Sequence, residues 1–394
     1  MKKTILFSTI ALAVSYSTTA FAQLDNLHIT APAHSAQSVL KTQWDAEREA
    51  LSFIAHFQSR EPKWQRAQVG TITPLYRDET SLQAYEVEIL SIQGEAQGYL
   101  IIEANPLREQ VAEFAFEGTS PTKILKSNLQ DNRQYRWLWN GPGTSAVILA
   151  PKHEAILFTI NPSVTQADFS VSRKIEQSDM QPLSRMRRDT PDSEEIVIDW
   201  RFSPFYQEYR YWPTSSNDRN ECYAGCTPVA AAMLVDFYDR NGYPNMIGDE
   251  TQQNHQANSP LMRETINQLR GVLKTYCRED GQGGTSQSNS INIVDYMNQR
   301  GDAQWKARRI SYAAMTTFSY LIQEMKAQRP AMVHYHTQGQ IGTNHSAIAF
   351  GYIYGGYWGD NFLTVRTGWS RQEQIQYNIK SMGTVEATIV TRKD

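Results

Sequence analysis

The sequence predicts an α+β chain in two parts, on three observations. Residues 37–58 carry a helical pattern and are followed, up to about residue 160, by short apolar runs of strand character. Apolar periodicity lapses between about 165 and 195. Beyond that lapse, helical patterns come first and strand patterns follow, the order of helices packed beside an antiparallel sheet.

The opening "MKKTILFSTIALAVSYSTTAFAQ" has basic Lys2 and Lys3, an apolar stretch from Ile5 to Val14, and a small-x-small ending at Ala20 and Ala22. It predicts a signal peptide over 1–22, cut before Gln23, and an exported protein, extracellular or periplasmic. No later run approaches the roughly 20 apolar residues of a membrane span. A net charge of −3 with both signs interspersed provides no basic face for nucleic acid. About 370 residues after cleavage are more than one core usually serves, so two domains are expected. Three cysteines in an oxidising compartment predict one disulfide and one thiol left over.

The first domain, 23–165, starts with the helical pattern, in which Val39, Leu40, Trp44, Leu51, Ile54, Ala55 and Phe57 recur at three- and four-residue spacing. The runs "VGTITPLY", "AYEVEILSI", "GYLIIEA", "VAEFAFEG", "SAVILA" and "AILFTI" then read as strands. The segment 166–195 reads as a solvated linker ending in "LSRMRRDTPDSEE", where Arg185, Arg187 and Arg188 offer a basic processing site. In the second domain, 196–394, helices are expected over 227–240, 261–277, 290–299 and 314–327, and strands over 331–336, 346–354, 362–369 and 385–390.

In "ECYAGCTPVAAAMLVDFYDR" the apolar stripe Val229, Met233, Phe237 defines a helix, and Pro228 suits its first turn. Cys226 therefore stands at the helix N-terminus, where unpaired N–H groups and the helix dipole favour a thiolate. Cys222 lies outside the helix, and its natural role is a disulfide with Cys277. A thiolate nucleophile needs a base brought near by the fold. His255 sits in a polar loop. His334 and His336 alternate in a strand and share a face, lining a wall; no Cys, Asp or Glu is spaced to complete a metal site with them. His345 opens the strand "HSAIAFGY" after a Gly-containing turn and is the best base on local grounds.

The stretch "GCTPVAAAMLVDFYDRNGYPN", followed by "NHSAIAFGY" and "NFLTVRTGW", resembles the secreted bacterial branch of the papain-like cysteine peptidases, the group that includes streptopain and the bacteriocin-leader peptidases. The resemblance covers roughly 200–394 and implies a papain-like α+β peptidase domain that needs no metal or organic cofactor. It implies Cys226 as nucleophile, His345 as general base and Asn220, in place of a glutamine, as an oxyanion donor. Thr367 stands where the papain pattern has the asparagine that orients the histidine, and Arg366 where streptopain-like sequences place it. Threonine can accept from an imidazole N–H and arginine cannot. Asp360 and Asn361 offer the role from the side, and Trp369 matches a tryptophan that shields the histidine contact. The run "YEVEILSIQGEAQGYLIIEAN" is similar to streptopain-like pro-segments, which implies that 23 to about 188 cover the cleft until proteolysis.

These readings lead to an exported cysteine endopeptidase made as a zymogen, with a peptide or protein substrate and its own pro-domain as partners. The rivals are a catalytically silent papain-like binding or adhesion protein, which would not label with a thiol probe, and a transglutaminase-like acyl transferase, which would pass its acyl group to an amine.

Overall fold

A computed structural model describes residues 39–78, 80–108, 110–129, 133–150, 156–160, 169, 194–197, 210–211, 222–247, 259–279, 281–300, 303–336, 344–355, 360–368 and 374–393. The expected signal peptide and Arg185, Arg187, Arg188, Asn220, His255 and Trp369 lie outside the described residues. The architecture is α+β.

The N-terminal half contains α1 (Gln43–Phe57), β1 (Gln68–Tyr76), β2 (Leu82–Leu90), β3 (Ala96–Glu103), β4 (Val111–Ala115), α2 (Pro121–Lys126), β5 (Tyr135–Leu138), β6 (Ala146–Leu149) and β7 (Phe158–Thr159). Helix α1 begins at 43 rather than 37 because Thr42 caps it: the Thr42 hydroxyl accepts from Asp45 N, and the Asp45 carboxylate accepts from Thr42 N. Its buried face is Ala46, Ala50, Phe53, Ile54 and Phe57. Val39, Leu40, Trp44 and Leu51 are exposed, so the stripe expected to include them is rotated. Phe53, Phe57, Trp64 and Phe114 form an aromatic core on β2–β4. Each buried phenylalanine is worth roughly 2 kcal/mol of hydrophobic transfer.

The C-terminal half contains β8 (Glu194–Val197), β9 (Arg210–Tyr211), β10 (Cys222–Tyr223), α3 (Cys226–Arg240), α4 (Pro260–Val272), β11 (Tyr276–Cys277), β12 (Gly283–Gly284), α5 (Ile293–Arg300), β13 (Trp305–Ser311), α6 (Ala314–Lys326), β14 (Ala331–His336), β15 (Asn344–Tyr354), β16 (Phe362–Arg366), β17 (Ile375–Asn378) and β18 (Val385–Arg392). The helix expected to reach 277 stops at 272, because Lys274 takes a left-handed φ of 53° and turns the chain into the β11–β12 hairpin.

One sheet runs through both halves in the order β13-β18-β14-β15-β16-β17-β4-β3-β2-β1-β5-β6-β7, with β8 beside β15. Nearly all of its pairings are antiparallel; β1–β5 is parallel. The halves meet where β17 pairs β4, with Gln376 opposite Phe114 and Tyr377 opposite Glu113. Phe362 and Ile353 enter the N-terminal core there, Phe362 edge-on to Phe114 at 5.0 Å, and Asn378 donates to Val111 O at 3.1 Å. Phe169, within the stretch expected to be solvated linker, is buried against Leu138, Ala146 and Ile148. Among the described residues, no helix is long and apolar enough to cross a membrane.

Candidate active site

Helix α3 is apolar on more than one stripe, and every residue from Thr227 to Asp239 is buried. It packs between α4 and the sheet at β14 and β15, so its few polar groups need internal partners: Asp236 binds Arg240 through both oxygens at 3.1 Å, and Asp239 accepts from Ile247 N. Gly225 supplies the turn into the helix with φ 91°, where a Cβ would meet Gly283 O at 2.6 Å. Gly225 brings no side chain to cap the helix, so the first-turn N–H groups open beside Cys226, which begins it. Cys226 is the one free cysteine and is half-buried.

The residues leading to Cys226 are clamped. Cys222 and Cys277 form a disulfide across a separation of 55 residues. Buried Arg270 donates through Nη1 to Tyr223 O at 3.0 Å and Ala224 O at 2.6 Å, and through Nη2 to Cys222 Sγ at 3.4 Å. This guanidinium satisfies two consecutive carbonyls that enter the helix and braces the bridge beside them.

His345 opens β15 and is buried. Its cross-strand neighbour Tyr335 stands edge-on to the imidazole at 5.5 Å. Nε2 of His345 lies 2.9 Å from Thr367 O. A carbonyl only accepts, so Nε2 carries the proton in the neutral ring and Nδ1 carries the lone pair. Burial pushes the His345 pKa down to about 3; the Thr367 carbonyl opposes this and His334 adds to it. The ring is neutral here.

One bond ties the two motifs together. Thr227 follows Cys226, Ser346 follows His345, and their hydroxyls are 2.8 Å apart. The first turn of α3 is thereby fixed on the start of β15. The expected acceptor for His345 was the Thr367 hydroxyl; the atom that accepts is the Thr367 backbone oxygen. Asn361 does not approach His345: it precedes β16, whereas Thr367 follows it, and its Oδ1 accepts from Gly355 N at 2.9 Å. Arg366 is buried in β16 opposite Ile348. His336 is half-buried at the end of β14, its pKa lowered by burial against an opposing pull from Glu386.

Sequence reasoning missed Thr227, Ser346 and Tyr335. The first two had a faint signal, since each is the hydroxyl residue directly after a motif residue and faces an apolar run. Among the described residues no group of three or more His, Cys, Asp or Glu is arranged to hold a metal ion.

No known family profile matches the sequence, and no curated protein matches it. Among solved structures, a prointerpain A fragment of Prevotella intermedia is similar with a TM-score of 0.41 and 12% identity, over 81% of this chain and 97% of that one. The active interpain A cysteine protease of the same organism is similar with a TM-score of 0.33 and 14% identity, over 52% of this chain and 98% of that one. UfSP from C. elegans is similar with a TM-score of 0.31 and 9% identity, over 58% and 43%.

Proposed function

We propose that this chain is the latent form of an exported cysteine peptidase in which Cys226 attacks a peptide carbonyl and His345 shuttles the proton. The observation that carries the reading is the 2.8 Å Thr227–Ser346 bond, which joins the residue after the helix-start thiol to the residue after a histidine whose ring is already oriented by Thr367 O. The resemblance of "GCTPVAAA" and "NHSAIAFGY" to papain-like peptidases points the same way.

In this mechanism Cys226 Sγ passes its proton to His345 Nδ1, and Nε2–H stays on the Thr367 carbonyl, which stabilises the imidazolium as it forms. The Cys226 backbone N–H and the amide of Asn220 hold the oxyanion. His345 then protonates the leaving amine and activates the water that frees the acyl group.

The latent state follows from burial. A protonated His345 is strongly disfavoured while the ring is sealed from water. Beside it stands Tyr335, against Tyr377, and Tyr377 is paired in register with Glu113 of β4. On this reading residues 23 to about 188 are a pro-domain, proteolysis near Arg185, Arg187 and Arg188 precedes activation, and removing β4 lets water reach the wall behind the imidazole.

The test compares the native chain, Cys226→Ala and His345→Ala before and after limited trypsin, with iodoacetamide labelling read by peptide mapping and hydrolysis of a fluorogenic peptide mixture. Processed native protein should label at Cys226 and turn over peptide, and both variants should lose turnover. A processed native chain that stays unlabelled at Cys226, while its unfolded form labels there, refutes the reading.

A further inference from the structure

Two histidines, His334 and His336, alternate in β14, and neither enters the mechanism above, which uses His345 of β15. His334, on the opposite face of the strand from Tyr335, is fully enclosed and makes a hydrogen bond from each ring nitrogen: Nδ1 to Ser346 Oγ at 2.8 Å and Nε2 to Thr388 Oγ1 at 3.1 Å. Thr388 reaches Ser290 Oγ at 2.5 Å, and Ser290 donates to Gln287 O at 2.6 Å. With the Thr227–Ser346 bond, five buried side chains make one line from the start of α3, across β15, β14 and β18, to the turn before α5.

The line has a direction. A backbone carbonyl only accepts and a hydroxyl has one proton to give. Ser290 gives its proton to Gln287 O, so it accepts from Thr388; Thr388 in turn accepts from His334 Nε2–H. The neutral imidazole then presents Nδ1 as acceptor, Ser346 donates to it, and Thr227 donates to Ser346. The arrangement requires an uncharged His334, and burial lowers its pKa to about 4. The charged or titratable groups around it are Glu386 on β18, opposite it in register, which pulls the pKa up, Arg309 on β13, which pulls it down, and, on the other face of the sheet beside Tyr335, His345 on β15. Glu386 is itself held by Arg309 at 2.6 Å and by Ser311 at 2.7 Å.

Apolar side chains would hold a helix on a sheet without the desolvation cost of five buried polar groups. What a directed line adds is orientation. We infer that His334 is a positioning residue for the Cys226–His345 pair, acting through Ser346 and Thr227 to set the first turn of α3 against the start of β15. The inference rests on the reading of Cys226 as a nucleophile. A loosened Thr227 lets the thiol drift relative to the imidazole, and displacement by about an ångström is enough to cost on the order of 100-fold in rate.

The test measures the second-order rate of iodoacetamide reaction at Cys226 in the full chain, alongside the thermal midpoint and, after processing, kcat and KM. Asparagine places an amide near the Nδ1 position and keeps the link to Ser346, whereas glutamine reaches the Nε2 position and keeps only the link to Thr388. We expect His334→Gln, Ser346→Ala and Thr227→Val to slow labelling about tenfold or more and to lower kcat with KM unchanged. His334→Asn and Thr227→Ser should stay within about threefold of native, even if their midpoints fall. Labelling that stays within about twofold of native in Thr227→Val and His334→Gln, or falls equally in His334→Asn and His334→Gln, overturns the inference. Should the processed native protein label at Cys226 yet hydrolyse no peptide, the peptidase reading fails while the labelling series still decides the role of His334.

Discussion

Glu113 offers a test of how the N-terminal half holds to the rest. Its carboxyl is buried on β4, accepts from Tyr99 OH at 2.6 Å and Gly143 N at 3.1 Å, and stands opposite Tyr377. Burial raises its pKa from 4.5 to about 7, opposed by those two hydrogen bonds and reinforced by the charge of Glu86. Glu86, itself bonded to Thr122, is raised to about 7 for the same reason. Because the folded pKa lies above the unfolded one, the folded form binds the proton more tightly. The associated stability is complete below pH 4.5, declines as pH rises, and is lost above about pH 7. The difference between 4.5 and about 7 converts to roughly 3 kcal/mol for one carboxyl, of which roughly 2–3 kcal/mol falls between pH 5 and pH 8. Glu113→Gln keeps an acceptor oxygen for Gly143 N, sets its amide N–H against the Tyr99 hydroxyl oxygen, which can accept, and cannot ionise. Urea unfolding should be followed by tryptophan fluorescence at pH 5 and pH 8 in a Cys226→Ala background, which removes the free thiol. The native sequence should lose more stability between the two pH values than Glu113→Gln, by roughly 2–3 kcal/mol. Parallel losses in the two proteins would refute the reasoning.

Two further outcomes are expected. Gly225→Ala forces a side chain to φ 91° and against Gly283 O; the backbone strain alone costs about 1–3 kcal/mol, so thermal unfolding should occur earlier and Cys226 labelling should slow, and a native-like midpoint with native labelling would contradict the packing described. Replacing Cys222 and Cys277 by alanine opens a loop closed over 55 residues and should cost about 4 kcal/mol in urea unfolding; no change would mean that the bridge does not constrain the unfolded chain.

Much of the C-terminal half was legible because its elements obey simple periods. Helix α3 and strands β14, β15, β16 and β18 announce themselves as apolar runs bounded by glycine, proline or polar turns. Strand β17 did not, since "IQYN" looks like a surface segment, yet all four residues are buried. The Asn378 amide is met by the N-terminal half, where it donates to Val111 O, and that partner is 267 residues away. The acceptor for His345 was unreadable for another reason: every residue has a carbonyl, and only the path of the chain after β16 decides which one reaches the ring. His334 and His336 were correctly expected on one face, but the hydroxyls that complete the His334 contacts come from Ser346 and Thr388, 12 and 54 residues further on. Strand order, which the sequence does not print, brings them together.

The sheet's path across the two halves separates two events that are easily taken as one. The last N-terminal strand, β7, sits at one outer edge of the sheet, and the next, β8, is sewn against β15 deep in the other half. A backbone cut between Thr159 and Glu194 therefore leaves every pairing among the described strands in place. What remains is a nicked complex held by β4 on β17 and by Phe114 on Phe362. Its two pieces then obey mass action: the tether's high effective concentration is gone, and the occupied fraction depends on how far the protein is diluted. Under the proposed zymogen reading, the onset of activity is then governed by an affinity and a volume as much as by the protease that makes the cut.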